Sequence, residues 1–236
     1  MQYHNVEHTQ AVVANALEIA KAEGLEDIAV ERAQLAAWFH DTGLAFRNTG
    51  HEEASAELAE NFLQDHDYDQ EGIEEIKIAI QGTCMDETPH TNLAQILRDA
   101  DTLHVGKKNY RERMESLREE LSRVSDQEIT EADFLEDTIR FYHDHQFFTD
   151  YAQEQYGPVK AANLKRLKLR AAELNLDELA QDIIPQEKKK KKKEEKKDKK
   201  DLERGIQTMF RNSQRTHIQL SAIADNKANI LLSVKS

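Results

Sequence analysis

Apolar residues recur at helical spacing through almost all of residues 1–185, and no run alternates β-branched and polar residues as a half-buried strand would. That pattern directs the chain to an all-α fold. The spacing predicts helices near 5–22, 26–40, 51–66, 71–82, 91–104, 107–124, 130–146 and 158–175. Only 8 Gly and 3 Pro occur in 236 residues, and Ala, Leu, Glu and Lys dominate, which argues against a β-sandwich or barrel. Gly24, Gly43 and Gly106 fall where helices should stop. Thr88-Pro89 interrupts the chain before the fifth helix, and Thr91-Asn92 supplies a cap for it.

Two later segments differ in character. Residues 186–201 are low in complexity and charged, and read either as a solvated helix or as a linker. Residues 202–236 read as a further helix that becomes apolar only at its end. The expected division is therefore 1–185, 186–201 and 202–236. The net charge of −13 hides a split. Ten lysines face three acids over 188–200, and five basic residues face three acids over 201–236, which leaves −22 on the first 187 residues. Such a domain repels duplex nucleic acid and suits divalent cations. The single cysteine, Cys84, forms no internal disulfide, so a reducing, cytoplasmic setting is expected. The N-terminus lacks the apolar run of a signal peptide, and no stretch of 18 apolar residues spans a membrane. A homo-oligomer is left open.

The residues that carry chemistry are histidines and aspartates. His4 and His8 lie four apart, and the face they share continues through Val12, Ala16 and Ile19, so His8 points inward. The run Leu35-Ala36-Ala37-Trp38-Phe39 reads as core and ends abruptly in His40-Asp41. Leu93, Ile96, Leu97 and Ala100 form a stripe that Asp101 joins, four residues after Leu97. A lone carboxylate there is costly to desolvate, so it needs either a cation such as Arg98 or a metal. Taken singly, each feature has a bland explanation as a hydrogen-bonded core residue. Together, His8, His40, Asp41 and Asp101 place four ligands on three inward faces. Imidazole with carboxylate suits Mn²⁺, Fe²⁺, Co²⁺, Ni²⁺ or Mg²⁺, and the lack of clustered cysteines argues against structural zinc.

The order His8…His40-Asp41…Asp101 resembles the HD-domain metal-dependent phosphohydrolases. The wording Tyr3-His4-Asn5-x-x-His8-Thr9, Phe39-His40-Asp41-Thr42-Gly43 and Asp99-Ala100-Asp101 looks like the subgroup written YHNxxHT…HDxG…DADxxxxG. The similarity covers roughly residues 1–175. It implies a helical bundle with metal at its centre, hydrolysing phosphoesters, often of nucleotides. By motif position His8, His40, Asp41 and Asp101 hold the first metal, and Asp41 is placed to bridge a second. His51 fits a ligand of that second ion, whereas the fourth helix offers Gln81, Thr83 and Cys84 where a histidine might stand. One or two ions are thus open. Asp41 or Asp101 orients water or accepts its proton. His4 contacts phosphate, protonates the leaving oxygen, or only makes a supporting hydrogen bond. Lys107 and Lys108 either clamp a phosphate or face solvent.

The segment Thr216-His217-Ile218-Gln219-Leu220-Ser221-Ala222-Ile223-Ala224-Asp225-Asn226-Lys227-Ala228-Asn229-Ile230 is similar to the start of the transmembrane module of Pycsar-type antiphage effectors. That resemblance implies a cytoplasmic domain of a protein anchored in the inner membrane, with a role in antiviral defence. Membrane contact would then run through a region absent from this chain. Three functions compete: a metal-dependent phosphohydrolase or phosphodiesterase acting on a small phosphorylated substrate, a non-catalytic cyclic-nucleotide sensor, and a structural helical domain.

Overall fold

Five helices begin where a short polar side chain takes up an unpaired backbone N–H of the first turn. Asn5 accepts from His8 N, Asp69 from Gly72 N, Thr91 from Ala94 N, Thr130 from Asp133 N and Thr149 from Ala152 N. The computed structural model describes residues 2–125, 127–176 and 179. Among these the fold is all-α. Helices α1 (Val6–Ala22), α2 (Asp27–Phe39), α3 (His51–Asp65), α4 (Gln70–Gln81) and α5 (Asn92–Thr102) are followed by α6 (Tyr110–Val124), α7 (Glu131–Asp144) and α8 (Asp150–Glu173). Two 3-10 turns, Thr42–Ala45 and Leu103–Gly106, follow α2 and α5. The charged segment 186–201 and the helix expected over 202–236 lie outside the described residues.

α1, α2, α4 and α5 pack on one another, with α3 laid against α4 and the first 3-10 turn. Their contact faces are rich in alanine: Ala16, Ala33, Ala36, Ala59, Ala79 and Ala100 are all fully buried. Small side chains let the helix axes approach, and Ile19, Ile73, Ile76, Ile80, Ile96 and Leu97 fill the space between them. Each large aliphatic group buried here contributes roughly 1.5–3 kcal/mol. α8 packs on α7 and on the second 3-10 turn.

The sequence reading of these elements needs three corrections. α8 begins at Asp150, not at 158, and carries Pro158 in its interior. Gly157-Pro158 locally favours a start, but the Thr149 cap and the tertiary bonds that hold residues 148 and 149 to α5 set the boundary earlier. Gly43 and Gly106 are not helix stops of the left-handed kind; Gly24 is, with φ +74°. A Cβ on Gly43 would stand 2.2 Å from His51 O, and one on Gly106 would stand 2.6 Å from Tyr156 Cβ, so both glycines mark close approach. Trp38 is 46% exposed, because the helical period divides the run 35–39 between the interior at Ala36 and Ala37 and the surface.

Candidate metal centre

Four side chains meet where α1, the end of α2 and α5 converge. His8 comes from the first turn of α1, with its face continuing through buried Val12, Ala16 and Ile19 as the spacing requires. His40 is the C-terminal cap of α2, and Asp41 follows it into the 3-10 turn. Asp101 extends the buried stripe of α5. His8 and His40 are 4% and 1% exposed; the Asp41 and Asp101 side chains keep 15% and 24%. The pocket is thus walled by imidazole and open on the carboxylate side.

Each imidazole lies close to both carboxylates. His8 Nε2 is 3.1 Å from Asp101 Oδ1 and 3.4 Å from Asp41 Oδ2. His40 Nε2 is 3.1 Å from Asp41 Oδ2, 3.7 Å from Asp101 Oδ1 and 3.4 Å from His8 Nε2. Donors about 2.1 Å from a common ion stand roughly 3.0–3.4 Å apart along the edges of an octahedron or tetrahedron. His8, His40 and Asp41 bring their ligand atoms together at about that spacing, whereas Asp101 reaches the two imidazoles but lies outside this mutually close group. His40 Nδ1 donates to Ala37 O at 2.8 Å, which leaves Nε2 as the lone-pair nitrogen. Asp41 Oδ2 is buried without a hydrogen bond, an orphan acceptor that a cation would satisfy.

The charges agree with the geometry. Burial disfavours the His8 imidazolium, but Asp101 and Asp41 beside it outweigh burial and hold its pKa at about 9. His40 is shifted up as well: burial opposes the charge and Asp41 restores it. Burial pushes the Asp41 and Asp101 carboxyls up, yet the facing histidines bring both below the ordinary carboxylate range. Two carboxylates in one pocket call for positive charge, which the protonated imidazoles provide and which a divalent ion could provide instead, with both imidazoles then neutral.

The remaining candidates divide. His51 opens α3 with Nδ1 donating to Asn48 O at 2.9 Å and Nε2 at 3.8 Å from Asp41 Oδ1. It therefore presents a free nitrogen on the far side of Asp41, as a second ion would need. Contact between Gly43 and the start of α3 keeps that distance short, and Gly43 N also donates to Ser55 Oγ. His4 Nδ1 bonds Glu120 Oε1 at 2.5 Å, and Glu120 Oε2 accepts from the backbone N–H of Tyr3 and His4. The His4 ring packs edge-on to His8, with centroids 5.7 Å apart. Lys107 donates to Asn15 Oδ1 at 2.6 Å, and Asn15 donates to Ala100 O, so the ammonium ties α1 to the end of α5. Arg98 does not pair with Asp101. It is buried and donates to the carbonyls of Gly82, Cys84 and Glu87, clamping the loop after α4.

Three residues near the centre receive no role from the motifs. Glu120 looks like an ordinary acid on a charged helix. Asp99, the first carboxylate of Asp99-Ala100-Asp101, is fully buried and accepts from Phe148 N, Thr149 N and Thr149 Oγ1. Its work is to hold the start of α8. His104 has Nδ1 3.2 Å from Tyr3 Oη, and burial lowers its pKa to about 4. His143 pairs with Asp144 in solvent, whereas His145 turns inward to Thr102, so that pair is split as the spacing requires.

Residues 5–106 match the HD domain family. No curated protein matches the sequence. The crystal structure of a predicted HD superfamily hydrolase from an uncultured Thermotogales bacterium is similar over 72% of this chain and 82% of that one, with 24% identity and a TM-score of 0.49. That likeness is too distant to bear on activity. None of the described helices is long and apolar enough to cross a membrane.

Proposed function

We propose that the chain is a metal-dependent phosphohydrolase that cleaves a phosphoester of a nucleotide or cyclic nucleotide. The observation that carries this reading is the convergence of His8, His40 and Asp41 into one group of ligand atoms, with Asp101 beside it and each imidazole Nε2 3.1–3.7 Å from carboxylate oxygens of both aspartates. The HD match over residues 5–106 supports it, because the match contains all four.

His8, His40, Asp41 and Asp101 would hold the first ion, and Asp41 with His51 a second. Bound there, a divalent ion supplies Lewis acidity toward phosphoryl oxygen and acidifies water near neutral pH. The protein's own groups do the rest. Asp41 and Asp101 are the exposed edge of the cluster, where a water can be oriented and its proton accepted. Glu120 fixes the His4 ring through Nδ1, which leaves Nε2 to carry the proton for a leaving oxygen. The buried imidazoles of His8 and His40 close the inner side to water.

The test is hydrolysis of nucleotides and phosphodiesters, including 2′,3′- and 3′,5′-cyclic forms, with Mn²⁺, with EDTA, and with Asp41→Asn. Mn²⁺-dependent turnover abolished in Asp41→Asn is expected. A folded, metal-loaded protein that binds a cyclic nucleotide yet turns over none of the panel would replace the enzyme with a sensor.

A further inference from the structure

A second cavity lies away from the ligand cluster and beyond the matched residues. It is a groove of about 810 Å³ between α6, α7 and α8. That volume is in the range of sites for drug-sized ligands. None of its lining residues belongs to the metal centre.

Its floor is apolar: Tyr110, Met114, Leu135 and Leu167 are buried beneath it. Two hydroxyls on that floor stand out. Tyr110 and Thr138 are 3% and 4% exposed, and neither side chain makes a hydrogen bond among the described residues. Helical threonines commonly return the hydroxyl to a carbonyl of the preceding turn, as Thr102 does to Arg98 O. Both oxygens open into the groove rather than being sealed off, and hydroxyls at a cavity wall with no partner among the described residues are places for a ligand oxygen.

The rim is charged in a polarised way. At one end Arg118 pairs with Glu115, and Arg170 pairs with Glu131 and Glu173. At the other end stand Lys108, Arg111 and Arg166. Among the described residues no carboxylate lies within ion-pair distance of these three, and Arg166 is held only by the Asn163 amide, at 2.8 Å. Asn163 in turn donates to Lys107 O, which brings the start of α6 beside this turn of α8. Three cations with no ion-pair partner among the described residues, of which Arg111 is near enough to Glu131 to help hold its carboxyl down, are unusual in a domain of net charge −22 over its first 187 residues. They form a positive end on a groove whose other end is neutralised.

We propose that this groove binds a phosphorylated small molecule with an aromatic body, such as a nucleoside phosphate, at a site separate from the metal centre. The phosphates sit on Lys108, Arg111 and Arg166, and the ring lies over Tyr110 and Met114 within reach of the Tyr110 and Thr138 hydroxyls. Guanidinium groups suit that task because their fork geometry matches phosphate oxygens.

The experiment is titration calorimetry on the full chain in EDTA, with ATP, GTP, CTP and UTP, with tripolyphosphate, and with adenosine. One saturable site per chain is expected for at least one nucleotide, tighter than tripolyphosphate and unchanged in Asp41→Asn. Arg111→Gln/Arg166→Gln should weaken it at least ~tenfold, since a charged partner of phosphate is lost at each position. Both arginines are exposed, so the fold is spared, and an unchanged melting temperature checks this. Thr138→Val should weaken binding by roughly threefold, the value of one neutral hydrogen bond. Absence of saturable binding, binding that survives the double substitution, binding lost in Asp41→Asn, or tripolyphosphate binding as tight as any nucleotide would each overturn the proposal. The metal-dependent turnover assay is read separately, so neither result decides the other.

Discussion

Two faces of α5 carry the same residue to opposite ends. Asp99 points toward α8 and is saturated by two backbone N–H groups and a hydroxyl. Asp101, two residues on, points toward α1 and α2 and, among the described residues, pairs with imidazole nitrogens. Donors of the first kind are fixed parts of the chain, which no ion can replace. Donors of the second kind are titratable, and a cation can take over their charge. The difference separates a carboxylate that holds the fold from one left open to a ligand.

The largest expected effect breaks this comparison from the Asp101 side. Asp101→Asn should lower metal-dependent turnover roughly 10³-fold and strip the ion, while chemical denaturation in EDTA finds a smaller loss of stability than Asp99→Ala gives. A loss of stability matching that of Asp99 variants would show that the two faces do the same work. Asp99→Ala should do the reverse. Leaving two buried N–H groups unpaired costs about 3 kcal/mol in urea unfolding, with metal stoichiometry retained in the folded fraction.

Smaller effects sharpen it. Glu120→Gln leaves all four metal ligands in place but loosens His4, so turnover should fall roughly 10- to 100-fold with bound metal unchanged. Equal losses of metal and turnover would argue that Glu120 only props up the site. The smallest effect concerns His145, near the α8 side of α5. Thr102 Oγ1 donates to Arg98 O, so toward His145 Nε2 it must accept, and Nδ1 is left bare and buried. Burial, with Lys160, His104 and Arg98 nearby, lowers the His145 pKa to about 3. The unfolded chain then binds the proton first as pH falls through the ordinary histidine range. Stability should therefore decline from about pH 6.5 toward pH 3, by about 1–2 kcal/mol at pH 5. His145→Gln should remove that part of the slope, and an unchanged slope would assign it elsewhere.

How far the sequence reaches follows from the same contrast. His8, His40 and Asp101 are legible because each is a polar residue on an apolar stripe of its own helix, and three such faults call for a common partner. Helix number and most boundaries are legible from period and caps. Glu120 is not, because its partner His4 is 116 residues away and nothing local marks it. Asp99 shares a motif with Asp101, and only the packed α8 tells them apart. Pro158 misplaces the start of α8 because tertiary hydrogen bonds override local preference. The α6–α8 groove is invisible for a related reason: its arginines look like surface charge until the helices are placed.

The hold of α5 on α8 also bears on how short a chain can be and still fold. The HD match ends at residue 106, yet Asp99, inside it, finds its hydrogen-bond partners 49 and 50 positions later. Gly106 itself lies under Tyr156, and Asn163 bonds the carbonyls of Val105 and Lys107. Cut at the edge of the match, the polypeptide would keep every candidate metal ligand and lose the clasp beneath them. Shared sequence and the minimal folding unit therefore have different ends, and a trimmed version of this protein has to run through α8.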